Sequence, residues 1–173
     1  MSQIPDAERC IEILREYGCS EQVIAHCEAV KDLALKIAKR LNADVQLVTA
    51  GALLHDIGRC RTHGIRHAVE GANIARELGL PEQLVGIIER HIGAGIPPDE
   101  AMRLGLPVKD YTPKTLEEKI VCHADNLIDG SVRQPIINEI NKALAKGHYE
   151  YAERLRKLHK ELSGYCGVDL DYI

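Results

Sequence analysis

Apolar residues recur at intervals of three and four residues through nearly the whole chain, and this spacing limits the fold more than any other feature. In the segment 20–41, for example, Val30, Leu33, Ile37 and Leu41 fall on one face of a helix. Aromatic residues make up only 3% of the chain and all of them are Tyr, so Leu, Ile, Val and Ala must build the core. Such a core suits helix-on-helix packing, and no alternating strand pattern is visible. The sequence therefore predicts an all-α helical bundle.

The length of 173 residues is typical of one domain, and no repeat, low-complexity tract or linker divides the chain. We expect a single domain over 1–173, with a core at about 20–130, an N-terminal helix at 6–17 and C-terminal helices within 133–162. Glycines and prolines, together with a capping-box pair at 115 and 118, mark the ends of the helices that lie between the N-terminal and the C-terminal helices. These signals predict helices at 44–57, 66–78, 81–91, 99–104 and 116–128. The segments 60–65 and 105–113 are expected to be loops, the second of them over the functional site.

Charge and composition exclude several functional classes. Charged residues make up 28% of the chain with both signs interleaved, and the formal net charge is −4, which argues against a strongly basic nucleic-acid binder. No segment approaches the roughly 20 apolar residues of a membrane span, and 1–10 lacks a signal-peptide apolar run, so we expect a cytoplasmic location and no membrane partner. The six cysteines form no CxxC pair and are expected to be mostly buried apolar fillers.

His55 and Asp56 stand side by side near the end of the mostly apolar segment 47–59, which reads LVTAGALLHDIGR. Burying a carboxylate and an imidazole without partners is unfavourable. The same two groups are among the commonest ligands of divalent cations. The pair therefore marks the first candidate for a metal site.

Other His and Asp residues fall at positions that look equally buried. His26, His91 and Asp125 lie on the apolar faces of three further predicted helices, and His67 opens a fourth. An unpaired polar group at such a position costs roughly 1–3 kcal/mol. One or two shared divalent cations would satisfy the whole set.

Each of these residues alone has a simpler explanation. A lone inward histidine is more often bonded to a backbone carbonyl in the core, and a lone Asp near a helix end is usually a cap. The combination is more informative, because independent accidents would have to place several cation ligands in the core of one small domain. We therefore favour a metal site.

Part of this set matches a known pattern. His26, the pair His55-Asp56 within LLHDIGR, and Asp125 within HADNL resemble the H…HD…D signature of the HD superfamily of metal-dependent phosphohydrolases. The resemblance covers about residues 20–130. It implies a single-domain, all-helical HD-type bundle in which these four residues bind one divalent cation.

A second part of the resemblance concerns two further histidines. The segment 67–95, HAVEGANIARELGLPEQLVGIIERHIGAG, is similar to family members with two extra histidines, here His67 and His91. In those members the extra pair holds a second metal, and the Asp of the HD pair bridges both ions. Bacterial HD-type hydrolases of diadenosine tetraphosphate and HD-type phosphodiesterases show this pattern. The resemblance thus implies a metal set of His26, His55, Asp56, His67, His91 and Asp125.

We interpret the chain as a phosphohydrolase that uses a metal-activated water on a nucleotide or a related phosphomonoester or phosphodiester. The expected catalytic residues are His55, Asp56 and Arg59, the last of which stands where many relatives carry Lys and keeps the positive charge. Mixed His and carboxylate ligands suit Fe, Mn, Co, Ni or Zn, and Mg is tolerated less readily. The expected partner is a phosphorylated small molecule, and the oligomeric state stays open.

Two other functions are also compatible with the sequence. The first is cleavage of RNA or of cyclic-phosphate RNA ends, for which the terminal helices are somewhat basic. Acidic residues are interleaved there and no aromatic stacking motif is present, so nucleic acid is not the favoured partner. The second is a non-catalytic nucleotide-sensing module, which ranks lower because the ligand set looks complete.

The remaining histidines and cations carry weaker expectations. His63 has a substrate role or none, because Gly64 separates it from the helix of His67. His123 should point away from the site, and His148 and His159 are expected on the surface. Four residues are weaker candidates for contacts with substrate phosphates, with solvated surface charge as the alternative: Arg66, Lys109, Lys114 and Arg133.

Overall fold

The protein is described by a computed structural model that covers residues 3–173. Its helices are α1 (Ala7–Glu16), α2 (Glu21–Leu41), α3 (Val45–Leu54), α4 (His67–Glu77), α5 (Glu82–Glu89), α6 (Pro98–Arg103), α7 (Leu116–Asn126), α8 (Ile136–Ala145) and α9 (Tyr149–Cys166). Short 3-10 turns occupy Ile57–Cys60 and Leu170–Tyr172. Two short strands, β1 (Ile128–Asp129) and β2 (Val132–Arg133), form an antiparallel hairpin. The chain is a single all-α domain, as its apolar spacing predicts.

The hairpin is the one departure from the predicted fold class within residues 3–173. Each strand has only two residues, so neither can show the alternation that identifies a strand in sequence. Ile128 also continues the apolar spacing of α7, which is why the helix was expected to reach it. The helix instead ends at Asn126, and Gly130 takes φ 62° in the turn of the hairpin.

Helix α2 lies at the centre of the bundle and packs against α3, α7 and α9. Ser20 begins the helix by accepting a hydrogen bond from the backbone N–H of Val23, and Asn42 ends it in the left-handed conformation. Its buried face meets aliphatic side chains of the neighbouring helices, and a core without Phe or Trp is filled mainly by Leu, Ile, Val and Ala. The fully buried members include Val30, Ile37, Leu53, Leu54, Leu84, Ile87, Ile88 and Ile120.

Two helices end earlier than the apolar spacing predicts. Helix α3 ends at Leu54 instead of reaching 57, and α5 ends at Glu89, so His91 lies just beyond its helix. In both places a histidine ring donates from Nδ1 to a carbonyl three residues earlier, His55 to Ala52 and His91 to Ile88. A carbonyl bonded to a side chain is less available to continue the helix, because Nδ1 competes with the backbone donor.

Gly58 brings the 3-10 turn after α3 against the start of α4. A Cβ atom at this position would overlap the backbone carbonyl of His67, so only glycine allows the approach. This contact fixes the first turn of α4 next to Asp56. The sequence thereby places two distant candidate ligands side by side.

The segment 105–113 does not lie over the candidate site, which corrects the prediction. Tyr111 exchanges backbone hydrogen bonds with Ile96 and packs with Val69, Leu106 and Ala101 in a small separate apolar cluster. Tyr111 thus holds the segment against Ile96 and the first turn of α4, and none of its residues lines the pocket that opens beside Asp56. All six cysteines are free, and Cys10, Cys27 and Cys122 are buried as expected of fillers. No helix in the described part of the chain is long and apolar enough to cross a bilayer.

Candidate metal centre

Six predicted ligands converge where the ends of several helices meet. His26 lies in α2, His55 and Asp56 follow α3, and His67 is the first residue of α4. The other two come from the end of α5 and from α7: His91 and Asp125. His55, Asp56, His67 and His91 are buried, whereas His26 and Asp125 are half-buried at the edge of a surface pocket. The fold thus gathers residues that lie up to a hundred positions apart.

The four histidines are all oriented in the same way. Nδ1 of each ring lies 2.6–2.8 Å from a backbone carbonyl oxygen. The carbonyls belong to Gly130, Ala52, Gly64 and Ile88. A carbonyl can only accept, so Nδ1 carries the proton in each ring. Nε2 of the neutral ring therefore presents a lone pair to the centre, which is the arrangement of a metal-binding histidine.

Asp56 lies between two groups of these nitrogen atoms. Its Oδ1 is 3.3 Å from Nε2 of His67 and 3.2 Å from Nε2 of His91. Its Oδ2 is 3.7 Å from Nε2 of His26 and 3.6 Å from Nε2 of His55. One carboxylate therefore faces two pairs of histidines with its two oxygens.

Asp125 completes the group on the Oδ2 side. Its Oδ1 lies 2.9 Å from Nε2 of His26 and 3.5 Å from Nε2 of His55. Ligand atoms of His26, His55 and Asp125 lie within 4.8 Å of one another, and so do those of His55, Asp56 and His91. These clusters are able to hold a metal.

The unsatisfied atoms of the centre show that a cation fits it. Nε2 of His55 and Oδ1 of Asp56 are buried without a hydrogen-bond partner among the described residues. Nε2 of His67 lies 3.1 Å from Nε2 of His91, and with both Nδ1 atoms protonated these two lone pairs repel. Each orphaned group would cost roughly 1–3 kcal/mol if nothing else bound it. Divalent cations bound on the two sides of Asp56 would remove these three penalties.

The charges of the centre are strongly coupled. Burial would raise the pKa of Asp56, but His55, His67 and His91 lower it well below its usual value. Burial would likewise lower the pKa of His55, yet Asp56 holds it well above 6.5. The raised pKa favours a proton on Nε2 of His55, which faces the carboxylates of Asp56 and Asp125. Metal binding at Nε2 would displace that proton, so metal affinity should rise with pH.

Arg59 borders the centre on its open side. Its Nε donates to Oδ2 of Asp56 at 2.9 Å, and its side chain is 31% exposed. A pocket of about 400 Å³ opens there and is lined by Arg59, His63 and Asp129 as well as by His26, Asp56 and Asp125. The guanidinium is therefore close enough to contact a substrate that reaches the metal ligands.

The weaker phosphate candidates lie away from this pocket. Arg66 donates to the carbonyl of Gly105, Lys109 pairs with Glu89, and Arg133 donates to the carbonyl of Leu170. Lys114 lies beside Asp110 in the segment before α7. Each of these cations binds a neighbouring part of the chain, so none is brought to the metal centre.

A second group of buried histidines escaped the sequence reasoning. His159 was expected on the surface, but it is only 9% exposed and bonds to His123 of α7 and to Asp169. A signal was present, because His159 falls four residues after Leu155 and three before Leu162 on the apolar face of α9. His123 points away from the metal centre, as expected.

Comparison with known proteins gives a match over much of the chain. The family model described as HD domain matches residues 23–128. An uncharacterized protein of Methanocaldococcus jannaschii is 54% identical over 149 residues, which cover 82% of this chain and 88% of the relative.

Two further comparisons name activities. A tRNA (cytidine(56)-2'-O)-methyltransferase of Thermoplasma volcanium is 51% identical over 170 residues, which cover 98% of this chain but 50% of the relative. The chain thus spans about half the length of that protein. In the solved structures, the HD domain of the phosphodiesterase PgpH of L. monocytogenes matches with a TM-score of 0.53 and 19% identity. The match covers 80% of this chain and 90% of that domain, and it shows a common fold.

Proposed function

The chain belongs to the HD-domain family, and we propose that it is a metal-dependent phosphohydrolase acting on a nucleotide or a related phosphomonoester or phosphodiester. The observation that carries the proposal is the placement of Asp56 between two pairs of histidines, each fixed through Nδ1 so that its Nε2 faces the carboxylate. A set of six ligands, two of which have a buried atom without a hydrogen-bond partner, is typical of a hydrolytic metal site.

The ligands divide into two groups that share one carboxylate. We assign His26, His55, Asp56 and Asp125 to one ion, and His67, His91 and Asp56 to a second. Mixed imidazole and carboxylate donors suit Mn, Fe, Co, Ni or Zn better than Mg. When bound, such ions lower the pKa of a water molecule and polarise a phosphoryl oxygen.

Side chains of the protein supply the remaining functions. The Nδ1 hydrogen bonds to backbone carbonyls hold the four imidazole rings in position before substrate arrives. Arg59 pairs with Asp56 through Nε and donates from Nη1 to the carbonyl of His63, which leaves Nη2 of its guanidinium for a phosphoryl oxygen at the pocket. The burial of Asp56 excludes solvent from one side of the centre.

The name of the methyltransferase relative does not carry over as the activity of this chain. That name belongs to a protein of which the chain spans 50%, whereas the Methanocaldococcus relative is covered to 88%. The half of the methyltransferase relative that matches this chain therefore also occurs as most of a separate protein in Methanocaldococcus jannaschii. The titratable residues gathered in this half are cation ligands, which methyl transfer to a hydroxyl does not require.

The same name nevertheless favours a second candidate function. A relative that acts on tRNA, together with a structural neighbour named as a phosphodiesterase, supports hydrolysis of RNA phosphodiesters by this chain. RNA binding through phosphates should weaken steeply with salt. Cleavage of a tRNA transcript at low salt, lost at 0.2 M salt and absent from Asp56→Asn, would favour this function over hydrolysis of small molecules.

Activity measurements on model substrates test the main proposal. Metal-stripped protein is reloaded with Mn²⁺ and assayed on p-nitrophenyl phosphate, bis-p-nitrophenyl phosphate and nucleotides. Asp56→Asn should abolish turnover, and Asp99→Asn is the matched control because Asp99 is exposed on α6 away from the pocket. Full activity of Asp56→Asn or of stripped protein would refute the proposal. Nucleotide binding without any product would instead favour a sensing module.

A further inference from the structure

The pocket beside the metal centre has an uneven distribution of charge that bears on the substrate. Resting on the proposed function, we infer that this pocket selects a substrate with a single phosphate group bonded to a hydroxyl-bearing moiety such as ribose. Asp129 is the residue that sets this preference. It accepts hydrogen bonds from hydroxyl groups and repels any further phosphate.

The pocket offers little positive charge to a substrate. Arg59 is the only Lys or Arg among the described residues that line the pocket. Its charge is already partly balanced by Asp56, whose Oδ2 lies 2.9 Å from Nε. Metal ions and one guanidinium can neutralise one phosphoryl group. One terminal phosphate brings about two negative charges at neutral pH and two or three consecutive phosphates bring about three or four, so each added phosphate adds charge that no other Lys or Arg of the described lining compensates.

Asp129 adds negative charge to the same pocket. It lies in β1 and is exposed, and its carboxylate makes no hydrogen bond or ion pair with residues 3–173. Lys142 is near enough for Asp129 to contribute slightly to its raised pKa, but that pKa is raised mainly by the hydrogen bond to Glu139. Lys142 also lies outside the pocket lining.

The position of Asp129 is fixed relative to the metal ligands. The next residue, Gly130, accepts the hydrogen bond of 2.6 Å from Nδ1 of His26. Pairing of β1 with β2 and the burial of Ile128 against the core hold the other side of the hairpin. The backbone of Asp129 is thereby held beside the site, and Asp129 lines the same pocket as Asp56 and Asp125. A substrate that places its phosphate on metal ions there would lie near this carboxylate.

An unpartnered carboxylate in a binding pocket discriminates between groups of opposite polarity. It accepts hydrogen bonds from hydroxyl groups through up to four lone pairs, and it repels phosphate oxygens. No aromatic side chain lines the pocket within the described residues, so base stacking adds little to selection there. Phosphate number and sugar hydroxyls therefore become the features that this pocket can distinguish.

Binding measurements with analogues that resist hydrolysis test the inference. The probes are the phosphonate analogue of AMP, its 2',3'-dideoxy form, and methylene-bridged analogues of ADP and ATP, titrated by calorimetry with excess Mn²⁺ present. Wild-type protein should bind the AMP analogue at least about tenfold more tightly than the ADP and ATP analogues. The dideoxy form should bind severalfold more weakly than its parent.

Variants assign the preference to one side chain. Asp129→Asn should bring the three affinities within about threefold of one another by strengthening binding of the ADP and ATP analogues, and the penalty of the dideoxy form should shrink. Asp99→Asn, an exposed carboxylate removed elsewhere, should leave the wild-type pattern unchanged. Circular dichroism checks that both variants are folded.

Several results would overturn the inference. Equal or tighter binding of the ADP or ATP analogue by wild-type protein would do so, as would an unchanged pattern in Asp129→Asn or no binding of any probe. Failure of the proposed function has a different signature, namely the absence of metal-dependent turnover of the p-nitrophenyl substrates. The two tests can therefore fail independently.

Discussion

The protein contains two groups of buried histidines that differ in how their ring nitrogens are satisfied. In the metal centre, Nδ1 of each ring donates to a backbone carbonyl, and Nε2 faces acceptor atoms. Nε2 of His55 has no hydrogen-bond partner among the described residues. In the pair formed by His123 and His159, both nitrogens of each ring have a partner. The first group is able to hold a cation and has unpaired atoms that face it, whereas each ring nitrogen of the second group has a hydrogen-bond partner.

The hydrogen bonds of the second group run in one direction. Nδ2 of Asn126 lies 3.3 Å from Nδ1 of His123, whose Nε2 lies 2.8 Å from Nδ1 of His159. Nε2 of His159 in turn donates to Oδ1 of Asp169 at 2.8 Å. Each nitrogen pair thus has one donor and one acceptor. Burial lowers the pKa of His123 to about 3, so this ring is neutral at pH 7, whereas Asp56 raises the pKa of His55.

The comparison teaches that burial alone does not identify a metal-binding histidine. His55 and His123 are both fully buried on helical apolar positions. Orientation separates them, because a ring that is fixed through Nδ1 exposes Nε2 to the interior. Predictions can therefore be directed at one group with the other as internal control.

The largest expected effect is a loss of activity when the negative charge of Asp56, which faces both pairs of histidines, is removed. Asp56→Asn should lower the kcat for p-nitrophenyl phosphate by at least about 10³-fold, or about 4 kcal/mol of barrier. It should also lower the Mn content that elemental analysis finds after dialysis. The amide has one oxygen and no charge, so it cannot face both histidine pairs as the carboxylate does.

His123→Gln provides the counterpart for that measurement. It changes a histidine as deeply buried as any in the centre, but one with complete hydrogen bonds to other partners. Its metal content and kcat should stay within about threefold of wild type. If instead His123→Gln lost as much metal as Asp56→Asn, the distinction between the two groups would be wrong.

Sequence reasoning was most successful where one periodic pattern decides the outcome. The spacing of Val30, Leu33 and Ile37 gave α2 almost to the residue, because a long amphipathic helix has many positions that agree. The short elements were predicted less well. Whether α3 stops at Leu54 depends on the ring of His55 reaching Ala52, and no local pattern reveals such a contact.

The candidate site shows the same limit. The sequence predicted a single centre for the six ligands, and the chemical role of each ligand is a proposal. Asp129 and the hairpin that carries it were not anticipated, since two-residue strands leave no periodic signal. Loop placement was also beyond the sequence, as the segment 105–113 follows Tyr111 into a separate apolar cluster.

The next prediction concerns the stability of the complete histidine pair. His123→Ala should lower the free energy of unfolding by about 3 kcal/mol, because it leaves a cavity and removes the partner of both His159 and Asn126. Urea unfolding in the presence of EDTA measures the change without a metal contribution. His148→Ala is the control, since His148 is exposed, and it should change stability by less than about 0.5 kcal/mol.

Acid should weaken the pair through the titration of His123. Its folded pKa of about 3 lies below the value of 6.5 in the unfolded chain, so the unfolded state binds more protons between these values. Stability from this group is therefore present above pH 6.5 and is lost as the pH falls. From pH 7 to pH 5 the loss is about 2 kcal/mol.

Other histidines act in the opposite direction over this range. The pKa values of His26 and His55 are raised, so their contribution to stability grows as the pH falls below their folded values. The difference between wild type and His123→Gln isolates the one group. In EDTA, the variant should lose about 2 kcal/mol less than wild type between pH 7 and pH 5. Parallel losses in the two proteins would contradict a neutral, buried His123.

The smallest effect is expected at Arg59, which belongs to the metal centre without being one of its ligands. Arg59→Lys keeps the charge but loses the planar group that contacts Asp56 through Nε, donates from Nη1 to the carbonyl of His63 and offers Nη2 to a phosphate. The kcat/KM for p-nitrophenyl phosphate should fall about tenfold with unchanged metal content. Arg61→Lys is the matched control, since Arg61 pairs with Glu70 and Glu77 on the outer surface. Loss of metal from Arg59→Lys would show that the arginine supports the ligands themselves, and equal activity in both variants would remove it from the site.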